Sequence, residues 1–120
     1  QREMIAVVVS SINRCYYCQV AHGAAVRKLS GNPILGEALI MNFRIAKIPQ
    51  KEMSMLEFAS KLTTNSHSIN EADRSKLRND GFTDKDIWDI SSVVGFFNMS
   101  NRIASATNME PNDEYHFSSR

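Results

Sequence analysis

Helix stops and starts recur at short intervals along this 120-residue chain and leave little room for other structure. Ser30-Gly31-Asn32-Pro33 is a stop followed by a start: Gly31 suits a left-handed cap, and Pro33 suits the first turn of a new helix. Ile48-Pro49-Gln50 makes a second break. Asn70 with Asp73, and Thr83 with Asp86, have the spacing of capping boxes, and Gly81 closes the short helix between them. Asn65-Ser66-His67-Ser68 is a polar loop. Apolar residues fall at helical spacing between these marks. Leu35, Ala38, Leu39, Phe43 and Ala46 do so after Pro33, and Met53, Leu56, Ala59 and Leu62 do so in 51–64. Ile87, Ile90, Val94, Phe97 and then Ile103 line the longest segment, 84–107. Val7-Val8-Val9 favours strand locally, but three residues weigh little against helical flanks. The expected fold is all-α, an antiparallel helical bundle. Residues 1–108 form one domain, and 109–120 form a polar tail without a period.

The long segment carries more apolar surface than one face hides. Trp88, Val93 and Phe96 widen its stripe, which suits the middle of a bundle or a subunit contact, so self-association as a homo-oligomer is expected. A net charge of +1 gives no strong pull on nucleic acid or an acidic membrane. No apolar run approaches the roughly 20 residues of a membrane span, and no signal peptide is visible. Both cysteines sit in a single CxxC, which fits a redox-active pair in a reducing cytoplasm better than a stapled secreted fold. The chain opens at Gln1 without an initiator Met, as a fragment or a processed chain would.

Cys15, Cys18 and His22 are spaced three and four apart, which puts them on one helical face. With Asn13 as N-cap and Arg14 as the first helical residue, Cys15 falls in the first turn, where the positive end of the helix favours a thiolate. Magnitudes show that this is not enough. Lowering a thiol pKa by about two units takes roughly 2.7 kcal/mol, and a helix end gives about 0.3–1 kcal/mol. A second group must hold a charge or take the proton, and His22 is the nearest. Glu3 lies twelve residues before Cys15, across a break. Antiparallel pairing of the two segments would bring it to the CxxC face, where a partly buried carboxylate can shuttle protons. Three readings of these residues stay open: a redox pair, inert thiols, or half of a zinc site. The last needs a fourth ligand such as Glu3, His67 or His116. Tyr16 and Tyr17 read as packing residues, and His67 and His116 as exposed.

The pattern Glu3, Cys15, Cys18, His22 resembles the signature of the alkylhydroperoxidase D-like (AhpD-like) family, in the all-helical carboxymuconolactone decarboxylase superfamily. Cys15-Tyr16-Tyr17-Cys18 with Ala21-His22-Gly23, and the tail Pro111-Asn112-Asp113-Glu114-Tyr115-His116, are most similar to its uncharacterised peroxidase-related branch. The likeness runs over nearly the whole chain. It implies a thiol-dependent peroxidase without metal or organic cofactor. Cys18 would attack a hydroperoxide, Cys15 would resolve the product and exchange with an external thiol or dithiol donor, and Glu3 and His22 would relay protons. It also implies further helices before the glutamate, which this chain lacks. Tyr17 stands where mycobacterial-type relatives often carry a histidine. Two rivals remain: a disulfide reductase with little peroxidase activity, and a non-enzymatic helical oligomerisation or metal-binding module. The helix terminus favours Cys15 as the nucleophile and the relay favours Cys18. Protonation of the departing oxygen decides for Cys18, in line with the resemblance.

Overall fold

Helix α1 (Arg2–Ile12) is the axis on which four of the other helices pack. It touches α2 (Tyr16–Ser30), α3 (Pro33–Asn42), α4 (Gln50–Thr64) and α6 (Asp84–Ala106). A computed structural model describes residues 1–120. It holds these helices together with α5 (Glu71–Asn79), α7 (Asp113–Phe117) and two short 3-10 turns, and it contains no strand. Ile5 to Val9 are each at most 2% exposed. The three valines cost the helix a few tenths of a kcal/mol each by propensity. Burying each gains about 1.5 kcal/mol or more. Packing therefore overrides the local strand preference.

The helix ends follow from side chains close to them. Asn32 accepts from the N–H groups of Ile34 and Leu35, and Pro33 opens α3. Gly31 closes α2 at φ +65°, its N–H bonding back to the Arg27 carbonyl. Both capping boxes form, Asn70 with Asp73 on α5 and Thr83 with Asp86 on α6. The polar loop after α4 includes a 3-10 turn, Ser66–Ser68.

Helix α6 buries a narrower stripe than its composition suggests. Ile87, Ile90, Val94, Phe97, Asn101 and Ala104 are inside, alternating by three and four. The inward stripe therefore continues on Asn101 and Ala104, and Ile103 faces out. Trp88 is 75% and Phe96 55% exposed. No helix is long and apolar enough to cross a membrane.

The C-terminal segment is not an aperiodic tail. It turns into α7 and lies against α2. The buried Arg27 holds it there, donating through Nε to the Ser118 carbonyl at 3.0 Å and through Nη2 to the Tyr115 carbonyl at 2.8 Å. Gly36 on α3 makes room for that side chain, since a Cβ there would meet Arg27 Cγ at 3.0 Å. Tail polarity obscured this docking, because the partners are backbone carbonyls and one distant arginine.

Candidate active site

The turn from α1 to α2 sets the position of both cysteines. Asn13 ends α1 instead of starting α2. Arg14 takes the left-handed conformation at φ 53°. The Arg14 N–H bonds to the Ser11 carbonyl at 3.1 Å and the Cys15 N–H to the Ser10 carbonyl at 2.9 Å. This is the two-bond Schellman pattern, with Arg14 where glycine is usual. Cys15 then has an extended backbone and is itself the N-cap of α2. The expected Asn13 cap is thus displaced by two residues, because the left-handed residue carries no glycine signal.

As N-cap, the Cys15 sulfur accepts the backbone N–H of Cys18 at 3.4 Å. A side chain in this place meets an otherwise unpaired helix donor, which stabilises negative charge on it. Both cysteines are free and 1% exposed, and both pack on Ala104 with Tyr17 alongside. Cys15 lines an open cleft of about 510 Å³, whose walls include Arg14, Tyr16, Tyr17, Ser105 and His116. Cys18 is not part of that lining.

Burial pushes the Cys18 thiol up from its ordinary 9.0 to about 11. The neighbouring Cys15 adds to the rise, and hydrogen bonds from Asn101 and Ser10 oppose it. An unfolded chain loses this proton near pH 9 and the folded chain near pH 11. The resulting stabilisation is therefore complete below about pH 9 and falls as pH rises towards 11, by roughly 2–3 kcal/mol. Urea unfolding of the reduced protein between pH 8 and 11 should show this loss, and Cys18→Ser should lack it. Parallel losses in the two proteins would contradict the assignment.

His22 follows Cys18 by one turn of α2. Its Nδ1 lies 2.7 Å from Glu3 Oε2 on α1, so the antiparallel pairing brings the carboxylate to the CxxC helix. Both side chains keep part of their surface in solvent, at 23% and 27%. The imidazole also packs edge-on against Phe97, with ring centroids 4.9 Å apart. A carboxylate facing Nδ1 favours the tautomer with its proton there, which leaves the Nε2 lone pair as the basic site. The hydrogen bond of His22 goes to Glu3, and none joins the imidazole directly to a sulfur.

The other two histidines lie apart from this pair. His67 is exposed. His116 is half-buried, contrary to expectation, and its Nε2 lies 3.3 Å from the Tyr16 hydroxyl at the rim of the cleft. No three His, Cys, Asp or Glu side chains converge as a metal site. Sequence reasoning missed Ser10 and Asn101. For Asn101 a signal existed: the three-four stripe of α6 runs on to 101 and 104, placing an amide at a core position.

Two solved structures match closely. An uncharacterised peroxidase-related protein from Silicibacter sp. TM1040 is 64% identical, with TM-score 0.98 over 99% of this chain and 62% of that one. The alkylhydroperoxidase AhpD core of an uncharacterised peroxidase-related protein from Ralstonia eutropha JMP134 is 45% identical, with TM-score 0.96 over 99% of this chain and 63% of that one. The chain thus spans about three fifths of the length of these relatives. No protein-family model matches it, and no curated protein does.

Proposed function

Because this chain belongs with the peroxidase-related proteins of the AhpD-like family, we propose that it reduces hydroperoxides through a Cys15–Cys18 disulfide cycle. The observation that carries this reading is the contact of two buried thiols at the start of α2, beside a paired Glu3 and His22. The Cys18 thiol gives its proton to a base and attacks the outer peroxide oxygen. An S–O bond forms, the O–O bond breaks, and the alkoxide leaves as alcohol once protonated. Cys15 then attacks the sulfenic sulfur, a disulfide forms and water is lost. Two equivalents of an external thiol, or one dithiol, restore the pair by exchange at Cys15.

The division of labour follows from position and proton affinity. Cys15 lines the cleft and meets the donor. Cys18 sits behind it and holds its proton firmly. With a pKa near 11, only about one Cys18 in 10⁴ is ionised at pH 7, equivalent to about 5 kcal/mol. A helix terminus offsets about 2 kcal/mol at most. Attack by Cys18 therefore needs proton removal during the step, the role assigned to His22 with Glu3 behind it.

The test is hydroperoxide consumption coupled to a thiol or dithiol donor, with and without prior alkylation. Turnover that alkylation abolishes supports the reading, and turnover indifferent to alkylation contradicts it. Disulfide reductase activity is the second reading, favoured by a cleft of about 510 Å³ that exceeds the needs of a small peroxide. Turnover of a disulfide substrate without peroxide turnover would select it.

The outer face of α6 carries a further expectation. Trp88, Phe96, Met99 and Ile103 follow one another at helical spacing and are all more than half exposed. We expect copies of the chain to bury this stripe against one another. Sedimentation at tens of micromolar should show a dimer or larger species, and Trp88→Lys should shift it towards monomer. A monodisperse monomer of the unmodified chain would refute the expectation.

A further inference from the structure

The disulfide cycle makes no use so far of a buried polar cluster behind Cys18. Ser10 on α1 and Asn101 on α6 are 0% and 1% exposed. Asn13 Nδ2 donates to Oδ1 of Asn98 at 2.9 Å and to Oδ1 of Asn101 at 3.0 Å. This fixes the Asn101 amide with its oxygen towards Asn13. Its nitrogen then faces Ser10 and donates to Oγ at 2.9 Å. One amide hydrogen is used in this bond and one is left.

The Ser10 hydroxyl accepts that bond but does not return its own proton to the helix. Ser30, Ser91 and Ser92 all donate to the carbonyl one turn earlier, and Ser10 does not. Ser10 and Asn101 are the two side chains that oppose the rise in proton affinity of the Cys18 thiol, as donors turned towards its sulfur would. Ala104, one turn beyond Asn101, packs on both cysteines and seats this part of α6 against them. An amide in the apolar stripe of a long helix costs about 1–3 kcal/mol unless its hydrogen bonds are met. Asn13 and Ser10 meet them here, with one amide hydrogen left over.

We propose that Ser10 and Asn101 form an anion hole for Cys18, two fixed donors that receive the negative charge on its sulfur whenever the thiolate forms. The proposal rests on the disulfide cycle above and adds two catalytic residues to it. The hole acts twice per turnover. During attack it holds the charge on Cys18 between loss of its proton and formation of the S–O bond. During regeneration the donor thiolate attacks the Cys15 sulfur, the S–S bond breaks, and its electron pair goes to Cys18. The hole keeps that thiolate until it is protonated. A buried sulfur without such donors would be a poor nucleophile and a poor leaving group.

The test uses the reduced chain with both cysteines present. Initial alkylation rates by iodoacetamide are measured between pH 7 and 9 and resolved for each cysteine by peptide mass spectrometry. Ser10→Ala should slow alkylation of Cys18 about tenfold at each pH, the effect of one hydrogen bond to a charged group, with Cys15 unchanged. Asn101→Leu, which keeps the volume, should do the same and serves if the first variant fails to fold. Loosened packing would act in the opposite direction, exposing Cys18 and speeding the reaction. Unchanged or faster Cys18 alkylation in the folded variants overturns the hole. Slower alkylation with peroxide oxidation at Cys15 would uphold the hole and reject the assigned role of Cys18.

Discussion

After one equivalent of hydroperoxide, Cys15→Ser protein should carry a dimedone adduct at Cys18, and Cys18→Ser protein should label at least about tenfold less. The difference comes from where each sulfur sits. Cys18 is one turn from His22, whose Nδ1 is held by Glu3 at 2.7 Å and whose other nitrogen is free to take a proton. Cys15 has the opposite advantages: a backbone N–H at 3.4 Å and a place on the cleft wall. Those suit a sulfur that waits for a donor. Peroxide cleavage needs a proton delivered to the departing oxygen as well as a nucleophile, and this side of the balance favours Cys18. Without Cys15 the sulfenic acid has no resolving partner and survives for trapping. Strong labelling of Cys18→Ser at Cys15 would exchange the two roles and remove the reason for a relay to Cys18.

Removal of the proposed proton acceptor, His22, should have the second large effect. His22→Phe keeps a ring against Phe97 but has no basic nitrogen. The rate of Cys18 sulfenic acid formation should fall about 10²–10⁴-fold, the usual contribution of a positioned general base. With Cys18 near pKa 11, the residual reaction must wait for thiolate made by solvent. Its rate should rise about tenfold per pH unit from 7 to 9, and the unmodified protein should rise less steeply. Glu3→Gln should cost less, on the order of ten- to a hundredfold, because it disturbs the tautomer of His22 while leaving the base in place. Quenched-flow trapping of the sulfenic acid gives these rates. Equal rates and pH slopes in all three proteins would show that neither residue takes part in proton transfer.

Much of the fold was legible because its signals are local. Asn70 with Asp73, Thr83 with Asp86, Gly31 and Pro33 each act within a turn of their own position, and each does what its chemistry suggests. The signals that misled depend on partners distant in sequence. The Val7 to Val9 run is helical because four other helices surround it. Asn13 resembles a start but is a stop, since the left-handed residue after it is an arginine. The final residues form a docked helix because Arg27, about ninety positions earlier, holds their carbonyls.

The candidate site was legible to the same extent. Spacing alone placed Cys15, Cys18 and His22 on adjoining turns, and antiparallel packing of α1 on α2 brings Glu3 to His22. The residues behind Cys18 were not legible. Ser10 belongs to the last turn of α1, and Asn101 belongs to a stripe whose continuation had been sought at Ile103.

One peroxide should oxidise both cysteines of one chain to a disulfide. Arg14 and Arg27 flank both sulfurs on a single tryptic peptide, 15–27. The reduced chain is titrated with hydroperoxide under anaerobic conditions, with free thiols counted and this peptide weighed at each point. Two thiols should disappear for each peroxide, and the peptide should lose the mass of two hydrogen atoms and regain it with a dithiol. Loss of one thiol per peroxide with the other still reactive, or a peptide gaining oxygen without closing, would contradict the account.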